Sequence, residues 1–458
     1  MVMRYKLSHY TIISGPVDLK GSCILFSCLS GKALLVPEIT LDYMSAGRFD
    51  EIPGEVIEKL VRISALVPND KHELESLVAE NVASTETTTE TLYEIIQPTA
   101  TCQLGCYYCG QSHSKMNMAP AVQDHLVARI RSKIEAGNYK QLLIGWFGAE
   151  PLLGLQQIRD ITKRLMDLTD EFGLAYSANI VTNGLSLKPQ IFEELANDLK
   201  VHRFEITLDG TAEAHNRNRG TKSGEESFDI IFNNVKQIVS GVTFDPAISR
   251  ITIRCNVDEN NHEFVLPLIR MLAEYRIHEK IDHFYAIGIY SWGNEAHKKA
   301  LTKERFAQKE IVWIKEMLKL GFPVALLPKR KKAVCTAVSK VSEMYDAQGN
   351  IFNCTEVSYV NKYKNSEYIL GRIGEEDPEP KKRPFSDWNA SLLTDQFPCH
   401  SCKLLPVCGG ACPKSWHEDM RACPSVKFNI KDRLKLFYLI SQSKTNIYFT
   451  NKLNPINN

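Results

Sequence analysis

Cysteine is the residue best able to do chemistry in this chain, and its spacing is uneven. Of thirteen cysteines, ten fall in groups: Cys102, Cys106 and Cys109 in one short stretch, Cys335 and Cys354 as a looser pair, and Cys399, Cys402, Cys408, Cys412 and Cys423 later on. Residues 1–16 lack the apolar run of a signal peptide. The protein is therefore expected in the cytoplasm, where thiols stay reduced. Clustered cysteines in that setting point to metal or catalysis rather than to disulfides. Cys23, Cys28 and Cys255 stand apart and read as small buried hydrophobes.

The run Cys102-Gln103-Leu104-Gly105-Cys106-Tyr107-Tyr108-Cys109 is a C-x3-C-x2-C triplet. Three thiolates on one loop can hold three corners of a four-iron, four-sulfur cube and leave the fourth iron open. An open coordination position is what a reactive metal site needs. A structural zinc ion completed by His113 is the plainer alternative. The later cysteines run Cys335-x13-Gly349-x4-Cys354, then Cys399-x2-Cys402-x5-Cys408-x3-Cys412, then Cys423. A pair of zinc knuckles shares the C-x2-C element.

Positioning such loops takes a scaffold. Candidate strands at 93–99, 141–147, 177–182, 203–208, 249–257 and 282–289 alternate with helical patterns such as 121–136, 155–168 and 228–239. This alternation implies right-handed βαβ units and a parallel sheet. Six units in a row suit a partial (β/α) barrel, with sites at the C-terminal strand ends. Ahead of it, 23–27 and 33–37 flank Ser30-Gly31-Lys32 as a hairpin. A helix follows over 55–63, with Val56, Ile57, Leu60 and Val61 on one face. The polar run 84–91 has no apolar period and reads as a linker. Beyond 326 helical periodicity fades, and a segment so poor in it is expected to need metal as a staple. The last residues are polar and expected to fray.

The remaining composition mainly excludes. At 458 residues, about three domains are expected. Lys and Arg number 55 against 54 Asp and Glu, a net charge of +1, which gives no overall reason to expect nucleic acid or an anionic membrane. With 44% apolar and 24% charged residues the chain is not wholly disordered. No apolar run approaches the roughly 18 residues of a membrane span.

At the triplet the sequence resembles the radical S-adenosylmethionine (SAM) superfamily, including the aromatic Tyr108 before the last cysteine. Phe147-Gly148-Ala149-Glu150-Pro151 resembles that family's GGEP motif, with Ala149 in place of the second glycine. In the family this loop receives the amino group of SAM. Val181-Thr182-Asn183-Gly184 ends the third strand and Thr207-Leu208-Asp209-Gly210 the fourth; the family often has serine at the place of Thr207. Within the following His215-Asn216-Arg217-Asn218-Arg219, Arg219 stands where relatives contact the SAM carboxylate. Arg254-Cys255-Asn256-Val257 ends the fifth strand. Singly these are weak signals, since Asp-Gly is often only a turn. In order, at successive strand ends, they are specific. The resemblance implies Tyr108, Gly148, Ala149, Glu150, Pro151, Asn183, Thr207 and Arg219 as cofactor-binding residues; no catalytic base is singled out.

The seven later cysteines resemble the SPASM domain. That resemblance implies two auxiliary four-iron clusters, one on Cys399, Cys402, Cys408 and Cys423 and one on Cys335, Cys354 and Cys412. The chain would then hold three 4Fe-4S clusters, the barrel-proximal auxiliary one with a position open to a substrate thiolate. Trp416 and His417 read as packing around the clusters. The front unit resembles, by arrangement rather than motif, the precursor-peptide recognition domain of ribosomal-peptide (RiPP) maturases, which binds a leader by strand addition; a structural cap is the alternative.

The expected fold is α/β: a partial (β/α)6 TIM-like radical SAM barrel over 93–325, an N-terminal α+β peptide-recognition-like domain over 1–80, a linker over 81–92, a C-terminal cysteine-rich SPASM domain over 326–440, and a tail over 441–458. The implied activity is SAM cleavage to a 5′-deoxyadenosyl radical and hydrogen abstraction from a precursor peptide, ending in a thioether or carbon–carbon crosslink. A flavodoxin- or ferredoxin-type donor would supply the electron, and neither nucleic acid nor membrane is an expected partner. Two rivals are a sulfatase-maturase-like enzyme and a non-catalytic iron–sulfur protein. Sulfatase maturases lack the long front unit, and they carry an extra cysteine shortly after the first auxiliary one; residues 336–353 hold none.

Overall fold

Alternating burial along the strands sets the architecture. In β7 (Gln141–Trp146) and β8 (Ala175–Thr182), Leu142, Ile144, Trp146, Ala178 and Ile180 are buried, while Gln141, Leu143, Ser177 and Asn179 stand between them partly open. This period of two buries one face of the sheet under helices. The computed structural model describes residues 5–86, 90–375 and 382–442, and the backbone of 454–455.

Six strands run parallel: β6 (Thr91–Ile96), β7, β8, β9 (Val201–Thr207), β10 (Arg250–Val257) and β11 (His283–Gly288). Each sits within three residues of its expected place. Between and after them lie α4 (Pro120–Ala136), α5 (Leu155–Phe172), α6 (Pro189–Asn197), α7 (Ala212–Arg219), α8 (Phe228–Ser240), α9 (Val265–Glu274) and α10 (Lys303–Leu320). Their boundaries follow local chemistry: Pro120 and Pro189 open helices, and Gly173 and Gly321 close them with φ of 66° and 86°. The result is an α/β fold with a mostly parallel central sheet, as a TIM-like radical SAM core requires.

The cysteine-rich part extends that sheet. β12 (Met344–Tyr345) pairs parallel with β6, Met344 opposite Ile95, and β13 (Asn350–Phe352) and β14 (Gly371–Arg372) add antiparallel. A buried charge cluster locks the join. The Glu343 carboxylate receives Arg129 Nε at 2.8 Å and NH2 at 2.9 Å, Arg383 NH1 at 3.2 Å and the Tyr345 hydroxyl at 2.8 Å. Lys133 bridges Glu343 and the fully buried Glu94. Short helices α11 (Trp388–Ser391), α12 (Leu405–Cys408) and α13 (Pro413–His417) lead to α14 (Val426–Gln442).

The front unit holds β1 (Tyr5–Leu7), the antiparallel sheet β2 (Thr11–Pro16), β3 (Cys23–Ser27) and β4 (Lys32–Val36), then α1 (Glu38–Ser45), α2 (Gly54–Arg62), β5 (Leu66–Pro68) and α3 (Glu73–Glu86). The expected hairpin is β3–β4, and α2 buries Val56 and Leu60. One sheet face packs Leu25, Leu34 and Val36 on these helices. The other places Tyr10, Ile24 and Phe26 in the main core with Leu434 and Phe437 of α14.

The stretch read as a linker is helical as far as Glu86, and residues 87–89 lie outside those described. Its polar residues find distant partners: Asn81 accepts from Arg330 at 2.7 Å and the Thr85 hydroxyl from Asn389 at 3.2 Å. No apolar period betrays a helix held this way. Of the tail, 443–453 and 456–458 also lie outside the described residues. No helix among the described residues is long and apolar enough to cross a membrane.

Candidate active site

The C-terminal ends of the six strands converge on one open cavity, whose empty space together with adjoining solvent is about 970 Å³. The cysteine triplet lines it from the loop after β6, and Phe147, Gly148 and Ala149 from the loop after β7. Val181, Thr182 and Asn183 enter from β8, Thr207 from β9, Arg219 from α7 and Arg254 and Asn256 from β10. Tyr290, Trp292 and Glu356 close the far side.

Burial pushes the Cys102 thiol up to about 12 and that of Cys109 to about 11. Burial also raises Cys106, which Arg219 partly offsets. Such thiols are ligands only as thiolates, so a cation must replace their protons. Asn183 Nδ2 stands 3.9 Å from Cys102 Sγ. His113 also lines the cavity, and burial lowers its imidazole to about 4. Among the described residues no group of three or more His, Cys, Asp or Glu side chains is drawn together for a single metal ion.

Gly110, just past the triplet, is fixed by space: a Cβ there would lie 1.6 Å from the Trp292 carbonyl oxygen. Gly110→Ala is therefore expected to displace the cysteine loop, lowering both the melting temperature and the iron bound after reconstitution. Unchanged values for both would show that the loop yields freely.

The turn after β7 has Gly148 at φ 79° and Ala149 at φ 47°. Glu150 does not face the cavity. Its fully buried carboxylate accepts from the Thr182 hydroxyl and the Asn183 N–H, both at 2.7 Å, and from Leu152 N–H at 3.1 Å. It ties the turn to the end of β8; Pro151 is likewise buried and does not line the cavity. Arg219 is buried, with NH1 on the Tyr108 hydroxyl and 3.9 Å from Asp209. Tyr108 in turn donates to Asp209 and accepts from Asn256 Nδ2 at 3.0 Å. Arg219 Nε is buried with no partner. Of the eight expected cofactor residues, six border the cavity: Tyr108, Gly148, Ala149, Asn183, Thr207 and Arg219.

The later cysteines separate into two sets. Cys399, Cys402, Cys408 and Cys423 line one small pocket with Trp416, whose indole N–H donates to the Gly410 carbonyl at 2.8 Å. Burial first, then the other three thiols of this set, raises Cys399 to about 12. Burial raises Cys354 most, with Glu356, Cys335 and Cys412 adding to it. His417 stays at the surface, 3.7 Å from Glu367. Cys23, Cys28 and Cys255 are buried, Cys28 and Cys255 in the main apolar core.

The sequence reading missed the far wall. Tyr290 donates to Glu356 at 2.9 Å, and Trp292 Nε1 to the Glu356 carbonyl at 2.8 Å. The only local signal was Glu356 two residues after Cys354.

Residues 96–254 match the family model of the Radical SAM superfamily, spanning the end of β6 to β10. This chain therefore contains a Radical SAM domain, which spans strands and loops that build the cavity. Among solved structures, it is similar to native anSMEcpe with bound AdoMet and Kp18Cys peptide (TM-score 0.55, 18% identity, 76% of this chain and 97% of that one). It is also similar to Streptococcus suis SuiB bound to precursor peptide SuiA (TM-score 0.50, 15% identity, 92% of this chain and 98% of that one). At these identities the likeness is one of fold.

Proposed function

We propose that this enzyme is a peptide maturase that crosslinks a precursor peptide through a thioether or carbon–carbon bond. The carrying observation is the single cavity shared by Cys102, Cys106, Cys109, the Gly148–Ala149 turn and the unpartnered Arg219 Nε. Three thiols on one loop, a buried guanidinium with its Nε N–H unpaired and room for a nucleoside fit an open four-iron cluster with SAM. Bound there, SAM supplies a 5′-deoxyadenosyl radical that removes a hydrogen atom from the peptide, chemistry that belongs to the cofactor. The protein's share is positioning: the cysteines hold the cluster, the Gly148–Ala149 turn receives the amino group, and Arg219 receives the carboxylate. Phe147, Ile289 and Trp292 give the cavity an apolar wall against water.

Cys399, Cys402, Cys408 and Cys423 would hold one auxiliary cluster and Cys335, Cys354 and Cys412 another, in a SPASM domain. Zinc is disfavoured because the stretch Cys408-Gly409-Gly410-Ala411-Cys412 follows the SPASM pattern closely. A flavodoxin- or ferredoxin-type protein would deliver the electron in the cytoplasm. The front unit would bind the leader on its sheet; SuiB, similar in fold, is seen with its precursor peptide.

Anaerobic reconstitution tests this reading. About 12 irons per chain are expected for three four-iron clusters, together with 5′-deoxyadenosine from SAM under reduction. About four irons, with zinc in the remaining sites, would sink the SPASM assignment. The likeness to anSMEcpe keeps a second reading alive, oxidation of one Cys or Ser in a target protein. Only that product is an aldehyde, so hydrazide labelling of the modified peptide separates the two.

A further inference from the structure

The Gly148–Ala149 turn is held from outside the barrel. Ala149 has φ 47°, a left-handed conformation disfavoured for any residue with a Cβ. Its N–H donates to Gln111 Oε1 at 2.9 Å. Gln111 Nε2 reaches the Ser358 carbonyl at 3.3 Å and hydroxyl at 3.4 Å. From beneath the turn, Gln97 Nε2 donates to the same hydroxyl at 2.7 Å. Gln97 lies so close that a Cβ on Gly148 would fall 1.9 Å from its Nε2. One fully buried serine from the cysteine-rich part therefore fixes both glutamines that flank the turn.

Ser358 is itself held firmly. Tyr359 beside it has φ 58°, a second strained non-glycine residue. Its carbonyl accepts from Ser112 N–H at 2.7 Å and its hydroxyl from Ala347 N–H at 2.7 Å. Val360 forms a β-bridge with Gln111. Strain of this kind persists only where the surroundings over-determine it. Here the surroundings are a segment that begins at Cys354.

We infer that Ser358 is a positioning residue for SAM: through Gln111 and Gln97 it holds the Ala149 turn in its binding conformation, so packing of the Cys354–Val360 segment sets SAM affinity at the triplet. The inference rests on the SAM reading of that cavity.

The test is equilibrium SAM binding to full-length, anaerobically reconstituted protein, with iron content measured alongside. Ser358→Ala is expected to weaken binding about tenfold at unchanged iron content, as the loss of a buried hydrogen-bond partner would. In an Ala149→Gly background the turn needs no such support, and the same change is expected to cost less than about threefold. A serine that merely stabilised the fold would not show this dependence. Equal affinity for wild type and Ser358→Ala, or a tenfold loss that persists in the Ala149→Gly background, would overturn the inference. If Ser358→Ala loses iron, Gln97→Met removes one arm at similar volume; a rise in Kd of about threefold supports the inference, and none overturns it. Wild-type protein that takes up no SAM would remove the SAM reading first, and this inference with it.

Discussion

Replacing Cys102, Cys106 and Cys109 together by alanine is expected to abolish 5′-deoxyadenosine formation while leaving the iron on the later cysteines in place. The loop after β6 is the only cysteine-bearing stretch at the strand ends that opens on the main cavity among the described residues. Cys399, Cys402, Cys408 and Cys423 line a separate pocket, and Cys354 is buried beyond Glu356. Without the triplet no thiolate remains beside the Gly148–Ala149 turn and Arg219. The loss should therefore reach the uncatalysed background, and about eight of 12 irons should remain, as two intact four-iron clusters require. Chromatographic assay for 5′-deoxyadenosine and iron analysis on one preparation decide it. Residual turnover would move the reactive site to another cysteine set.

The second large effect concerns stability. Glu343→Ala is expected to lower unfolding free energy by about 3 kcal/mol, because removing one partner of a buried ion cluster leaves the other charges uncompensated. The Glu343 side chain is 6% exposed, against 18% for Lys133 and 19% for Arg383. Those cations cannot recover full hydration. Arg129, at 34%, is the one best able to turn to water. Burial by itself would raise the Glu343 carboxyl, but the Arg129 hydrogen bonds and the Lys133 and Arg129 charges hold it below the usual carboxylate range. A depressed folded value means that its contribution is present above the unfolded pKa of about 4.3 and fades as pH falls below it. The gap between wild type and variant in urea unfolding should thus be widest near neutrality and narrow in acid. A gap under about 1 kcal/mol at pH 7 would show that the cluster relaxes into solvent.

What was legible in the sequence was local. Alternation of strand and helix patterns located six strands, and the cysteine triplet needed only its own eight residues. The split of the later cysteines into two sets came from the resemblance to the SPASM domain. The Gln97–Ser358 hydrogen bond joins residues 261 apart, and no local pattern carries it. β12 is two residues long, too short for periodicity, yet it welds the cysteine-rich part to β6. Helix α3 ran on through Ser84 and Thr85 because side chains from Arg330 and Asn389 meet it, which composition read as a loose connector. Glu150 carried the right motif, but its carboxylate is spent on backbone and hydroxyl partners at the end of β8.

The two ends of the chain share one core, and that bears on how the protein is made. Tyr10 and Phe26 leave the ribosome about four hundred residues ahead of Leu434 and Phe437, which cover them in the finished molecule. At roughly 5–20 residues per second, the first sheet waits on the order of 20–80 s with an apolar face uncovered. Synthesis halted before α14 would yield chains with a finished barrel and a sticky N-terminal sheet, so truncated products should collect with chaperones or in aggregates.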